Sequence, residues 1–354
     1  MKINKQRKRT LKMLTIINLF LFLLIIAILY FLRPLPNTES WISAGHIVRV
    51  DPYINAGPMT NQVNHTPTNI YMTYVNEVEV STRWNRLTTN LHGYEKRDFS
   101  SSYSSQDSPK DFTKRDLNML GKILLPFMKH DIIKAAMVYK QMDWEESISP
   151  PIVIYHPEKF KTGESFHIGD EIIEINGELI ESVDDIYVIL EPFDIGDKVN
   201  VKLNRGDDSL EFPIVIKELD ARNRATLGVY LKHKFTFTDL SEVDVIHLEK
   251  NHSGESGGFM LTLGLIQQLE PNVDLSKGLK IAGTGGITRG GDIKPIGNLD
   301  IKVQTAINEK ADVFFYPIYQ EEEIKEVKKN YPIGDMKLIG VRNVKEAIEY
   351  LLQS

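Results

Sequence analysis

A chain of 354 residues with 42% hydrophobic, 25% charged and 9% aromatic residues has the length of about two domains and the composition of a folded protein, which excludes disorder and collagen-like repeats. It contains no cysteine, so neither a disulfide framework nor a cysteine-rich zinc site can exist in it. The formal net charge is −6, yet the first twelve residues hold Lys2, Lys5, Arg7, Lys8, Arg9 and Lys12 and no acid; the remainder is strongly acidic, and nucleic acid is not expected as a partner.

Residues 1–12 read as a basic cytoplasmic tail. From Met13 to Leu32 the chain runs MLTIINLFLFLLIIAILYFL without a charge, long enough as a helix to cross a hydrocarbon core of roughly 30 Å. Cations precede this run and only Arg33 follows closely, so residues 13–33 are expected to be a single-pass span of the cell membrane, with a cytoplasmic N-terminus and an extracytoplasmic body. The rival reading is a cleaved signal peptide, whose apolar core would be about 7–15 residues followed by a small-x-small site. The run here is longer and is followed by Arg33-Pro34-Leu35-Pro36, which favours an uncleaved anchor.

Residues 34–150 form the next expected region. His46 to Val50 and Asn69 to Thr82 alternate enough to suggest strands. Gly93 to Lys114, with SSSYSSQDSPKD inside it, reads as an exposed polar loop. Leu117 to Lys140 has helical spacing that is expected to break near Pro126. No chemistry is evident in this region.

Residues 151–218 are more legible. The stretch FHIGDEIIEINGELIESVDDIYVIL predicts a Gly-Asp turn, a strand ending at Asn176-Gly177 and a helix from about Ser182. Asn-Gly marks a tight hairpin because both turn positions need positive φ. Ser182 can cap the helix, and Asp184 and Asp185 suit its positive end. A second hairpin, VNVKLNRGDDSLEFPIVI, turns at Gly206, which makes Arg205-Gly206-Asp207 a turn by default. This order resembles a PDZ domain, with Gly169, Asp170, Ile172, Ile175, Asn176 and Gly177 standing in its "GD-x-I-x-x-I-N-G" segment. The resemblance implies a groove beside a strand that accepts an extended peptide. The Gly-rich carboxylate loop expected before a strand at Ile152 to Tyr155 is missing, since Ser147-Ile148-Ser149-Pro150-Pro151 stands there.

From Leu219 to Ser354 strands and helices mix. Phe259 to Leu269 reads as an apolar helix ended by Pro271, Lys280 to Gly283 as a strand, and Leu299 to Lys310 as an amphipathic helix. Asp312 to Pro317 reads as a buried strand, and two helices flank a strand at Lys337 to Val341. The fold class expected for the whole chain is α+β (mixed): an N-terminal transmembrane helix, a β-rich module at 151–218 and an α/β domain at 219–354.

Gly254-Glu255-Ser256-Gly257-Gly258 places one serine between glycines just before an apolar helix. Glycines permit a sharp turn and close approach of a substrate, and a helix start offers free N–H groups to a developing oxyanion. Ser256 is therefore a candidate nucleophile, although a glycine-rich helix cap reads the same way. All nine histidines precede Ser256, which excludes the α/β-hydrolase order of serine, acid and then histidine. His252 lies on the same tight loop and is a poor base, since catalytic partners usually come from elsewhere in a fold. Lys302 falls on the apolar stripe of Leu299, Val303, Ala306 and Ile307. It either snorkels at the stripe's edge or is desolvated beside Ser256 as a neutral amine able to take the serine's proton.

From about Asn251 to Pro317 the chain resembles the proteolytic domain of Lon-type proteases. The family's Gly-Pro-Ser-Ala-Gly stands as residues 254–258, its Pro-Ile-Gly-Gly-Leu-Lys-x-Lys as Pro295-Ile296-Gly297-Asn298-Leu299-Asp300-Ile301-Lys302, and its Thr-Gly strand end as Ala282-Gly283-Thr284-Gly285-Gly286. The resemblance implies Ser256 as nucleophile and Lys302 as base, with Thr284 beside the lysine and Gly254 and Glu255 in the supporting oxyanion loop. Glu255 and Gly257 depart from the family pattern. Anchor, PDZ-like module and Lon-like domain together resemble the membrane-anchored PDZ/Lon-type proteases of Gram-positive bacteria, some of which process secreted peptide pheromones. No Gly-x-x-x-x-Gly-Lys-Ser/Thr occurs in the 354 residues, so ATP is not expected. No cofactor or metal is expected either. The partners implied are a peptide or protein substrate, the membrane and a possible homo-oligomer. A membrane-tethered peptide-binding adaptor that keeps the fold without activity is the alternative.

Overall fold

The computed structural model describes residues 2–64, 67–97, 114–156, 166–218, 225–248, 255–270 and 272–353, with the side chains of 2–10 and 114–123 left aside. Two compact units divide the chain, Met1–Gly45 with Val75–Ser102, and His46–Tyr74 with Tyr103–Ser354.

The first unit opens with the helix Lys2–Leu32, whose stretch Leu11–Leu32 has a mean hydropathy of 2.8 and no fully buried residue. The helix Arg83–Leu91 is capped by Thr82, whose hydroxyl accepts from the Asn85 N–H at 3.1 Å. Glu39, on the strand Pro34–Arg49, collects the Arg86 guanidinium, the Lys96 ammonium at 2.8 Å and the Trp41 indole N–H at 3.1 Å. The arginine beside it, with Lys96 and Trp41, holds its carboxyl down to about 2 despite partial burial. Within the segment expected to be a polar loop, Glu95–Arg97 is a short strand antiparallel to Ser40–Ile42. The rest of that expected loop, residues 98–113, lies outside the described residues.

In the second unit a parallel ladder places Ile281–Gly283 between Ile70–Met72 and the strand Val313–Pro317, with Lys337–Val341 beyond. Val313 and Phe315 belong to one apolar cluster, with Phe259, Leu263 and Ile266 of the helix Gly258–Leu269. Phe314 and Tyr316 belong to another, with Leu299, Val303 and Ala306 of the helix Leu299–Asn308. Alternate residues of a strand point to opposite faces, so these two helices cover opposite faces of one sheet. The helix Lys114–Lys140 runs through Pro126 without a break, contrary to expectation. Its second half packs Ile132, Ile133, Ala136 and Met137 into the first cluster, and that burial outweighs the loss of one N–H.

A second, antiparallel sheet has the strand order Tyr230–Phe237, Glu146–Tyr155, Glu171–Ile175, Lys198–Arg205, Asp208–Val215. Asn176 and Gly177 turn with φ of 51° and 84°, as their dipeptide requires. Ser182 and Asp185 form a reciprocal capping box on the helix Val183–Leu190. The Arg205 guanidinium donates two 2.8 Å bonds to Asp170, which is 1% exposed, so this arginine belongs to the module's scaffold. The sheet extends past the expected 151–218 limits on both sides, because the Tyr230–Phe237 strand returns from beyond the second hairpin to pair with Glu146–Tyr155. That strand stands at the sheet's edge, beyond Gly228 with its φ of 75°.

Gly264 tests this packing. A Cβ there would lie 2.4 Å from Val50 Cγ2 and 2.9 Å from Ile54 Cδ1, both buried. Gly264→Ala is expected to lower stability by about 1–3 kcal/mol through overpacking, read as a drop in thermal midpoint.

Candidate active site

Ser256 stands two residues before the helix Gly258–Leu269, half-buried at its entry. The helix's N-cap is Gly257, and no side chain caps it, so Ser256 is not spent as a cap. Three bonds fix the serine and the start of its helix to the end of the Ile281–Gly283 strand. The Ser256 carbonyl accepts from the Gly285 N–H at 2.8 Å and from the Thr284 hydroxyl at 3.1 Å, while the Phe259 N–H donates to the Gly285 carbonyl at 3.1 Å. Glycine is required on both sides of this seam. A Cβ on Gly258 would meet Ile287 Cγ2 at 2.9 Å, and one on Gly283 would lie 2.6 Å from Met260 Sδ.

Lys302 comes from the opposite face. The segment before its helix turns at Asn298, with φ 57°, and is pinned by Gln320, whose side chain accepts from the Ile296 N–H at 2.9 Å and donates to the Ile296 carbonyl at 2.8 Å. Gln320 is 4% exposed. It is a positioning residue with no signature in the sequence, being an isolated glutamine eighteen residues downstream of the lysine. From the first full turn of the helix, Lys302 extends past the end of the central strand. Its Nζ lies 2.7 Å from Ser256 Oγ and donates to Thr284 Oγ1 at 3.1 Å. The lysine is 5% exposed, which removes the snorkelling alternative. Burial pushes its pKa down to about 7, because the charged amine has lost its water.

The remaining expected residues divide. Thr284 is 1% exposed and bridges both partners. The Glu255 carboxylate turns to Lys294, 3.2 Å away on the short strand Ile293–Lys294. Gly254 and His252 lie outside the described residues, as does Pro271. Beyond the Glu255–Lys294 pair lies a cavity of about 280 Å³ lined by Phe127, His130, Lys232, Phe235, Arg289 and Lys294. The arrangement pairs a hydroxyl with an amine that gives up its proton near neutral pH at a helix start, which is the equipment of nucleophilic acyl transfer.

Residues 234–354 match the model of the Lon protease (S16) C-terminal proteolytic domain. The match supports a Lon-type serine protease. Among solved structures, the chain is similar to the PDZ domain of an SdrC-like protein from Listeria monocytogenes, at 22% identity over 23% of this chain and 87% of that one, with a TM-score of 0.22. It is also similar to the PDZ domain of an SdrC-like protein from Listeria innocua, at 24% identity over 24% of this chain and 96% of that one, with a TM-score of 0.23. No curated protein matches the chain. The N-terminal apolar helix is compatible with a membrane anchor or a signal sequence.

The lowered amine pKa has a consequence for stability. Between about 7 and the ordinary 10.5 the unfolded chain holds a proton that the folded chain has lost, so stability rises with pH across that window and is flat on either side. In Lys302→Met the window is expected to vanish: its thermal midpoint minus that of the parent falls as pH rises from neutral to mildly alkaline.

Proposed function

We propose that the chain is an ATP-independent, membrane-anchored serine endopeptidase that cleaves extracytoplasmic peptides or unfolded segments through a Ser256/Lys302 dyad. The observation that carries this reading is the 2.7 Å approach of a buried lysine amine to the hydroxyl at a helix start. Ser256 Oγ attacks the scissile carbonyl as its proton passes to Lys302 Nζ. The ammonium so formed protonates the leaving amine, and water activated by the same nitrogen clears the acyl-enzyme. Backbone N–H groups at Ser256 and its neighbours hold the oxyanion. Thr284 keeps the amine aimed at the serine, and Glu255, tied to Lys294, fixes the loop's outer side.

Three features support the wider reading. No phosphate loop occurs in the sequence, so substrates arrive already extended rather than pulled apart. The apolar helix, 22 residues by composition and length, is compatible with an anchor or a signal sequence, and the charge asymmetry around it favours a cytoplasmic N-terminus. The edge strand Tyr230–Phe237 runs near the helix Val183–Leu190, where His233 Nε2 accepts from the Val183 N–H at 3.2 Å. A strand at the end of a sheet's order is what an extended peptide joins by backbone pairing.

The test uses the full-length chain in detergent or vesicles with a peptide substrate. Ser256→Ala should abolish cleavage, and Lys302→Ala should lower kcat by about 10²–10⁴-fold, the range of a general base. Retained turnover in folded Ser256→Ala protein rejects the reading. Because the base acts as the neutral amine, acylation should fall roughly tenfold per pH unit below about 7 and level off above it; a pH-independent rate counts against Lys302.

A further inference from the structure

The helix Arg83–Leu91 is amphipathic in an unusual sense: it buries none of its residues. Trp84, Leu87 and Leu91 follow one another at helical spacing, a single stripe, and are 51%, 41% and 75% exposed. A water-facing stripe of that kind costs free energy unless something apolar covers it.

Its neighbours indicate what does. Trp84 meets Phe31 edge to face, with centroids 6.0 Å apart, and the Arg83 guanidinium sits 4.2 Å above the Tyr30 ring. Tyr30 and Phe31 close the apolar stretch that begins at Leu11. Twenty residues at about 1.5 Å each separate the two ends by about 30 Å, the thickness of a hydrocarbon core. If the stretch spans a bilayer, the Trp84 ring is therefore held at the level where acyl chains give way to headgroups. Trp and Tyr are enriched at that level. Cations lie nearby as well: Arg33 follows the apolar stretch, Arg83 opens the helix, and Arg86 and Lys96 share the single negative charge of Glu39. Apolar stripe, interfacial aromatics and adjacent cations make the combination that suits an anionic membrane surface.

We propose that the helix Arg83–Leu91 docks on the membrane surface beside the end of the apolar span, with Trp84, Leu87 and Leu91 in the acyl boundary and the neighbouring arginines against anionic headgroups. The proposal rests on the anchoring reading above. Its occupant is lipid, and a second copy of the chain is the alternative that the test separates.

Full-length protein carrying Trp41→Phe and Trp144→Phe keeps Trp84 as its sole tryptophan. It is reconstituted into vesicles of phosphatidylglycerol and phosphatidylcholine, with some of the phosphatidylcholine brominated either near the headgroup or near the bilayer midplane. The expected result is a blue-shifted Trp84 emission that loses most of its intensity to the shallow bromines, less to the deep ones, and returns to a water-like spectrum in Leu87→Asp/Leu91→Asp. Trp84→Phe in the otherwise natural chain should remove the same quenched component, so the result does not depend on how Trp41→Phe folds. Protein that resists an alkaline carbonate wash while Trp84 ignores both bromines overturns the proposal and leaves the anchor standing. Cross-linking of the helix to a second copy, with Trp84 unquenched, overturns it in favour of self-association. Protein stripped from the vesicles by carbonate rejects anchor and proposal together.

Discussion

The second unit's chemistry depends on one costly arrangement, an amine kept out of water next to a hydroxyl. A lysine in water is a cation and cannot take a proton. Lys302 is 5% exposed, and the desolvation that brings its pKa down to about 7 is a destabilising contribution that the rest of the fold must offset. Offsetting comes from the two apolar clusters that enclose the site, and from two hydroxyls, Ser256 and Thr284, that give the buried nitrogen polar partners.

Bringing those groups together is a problem of sheet geometry. The helices that carry them cover opposite faces of the same strands, so their side chains can meet only beyond the end of a strand. The Ile281–Gly283 strand ends there, and its continuation Thr284-Gly285-Gly286 supplies one hydroxyl and two positions without side chains. At Gly285 a Cβ would lie 2.6 Å from Ile293 Cγ2. The glycines let the Ser256 loop close onto the strand end, and Thr284 then faces both partners. Ligand sites beyond the carboxyl ends of parallel strands follow the same logic.

Much of this was legible because it rests on local rules. Asn176-Gly177 and Ser182 specify a turn and a cap whatever surrounds them. The Ser256 and Lys302 segments each had a plain local reading, a glycine-rich helix cap and a snorkelling lysine, and only the resemblance to Lon-type proteolytic domains paired them. Less legible were features that depend on distant partners. Pro126 argues locally for a break, and only the burial of Ile132, Ile133 and Met137 keeps the helix whole. The Tyr230–Phe237 strand reads as the start of the next domain until its pairing with Glu146–Tyr155 is known. Gln320 carries no pattern at all, because its role lies in two bonds to the backbone of Ile296.

That edge strand also joins the module to the serine loop. Adjacent residues of a strand face opposite ways, and here His233 reaches the N-terminus of the helix Val183–Leu190 while Lys232 lies over the Phe127 ring, 4.6 Å from its centroid, in the wall of the cavity beside Glu255. Glu146 reinforces the junction from the neighbouring strand by pairing with Lys134 at 2.9 Å and with Arg289 at 2.9 Å, the latter close to the strand that carries Lys294. Arg289 in turn stacks on Phe235, 3.5 Å from the ring centroid. The edge of the module's sheet and one wall of the cavity beside Glu255 are thus built on one strand.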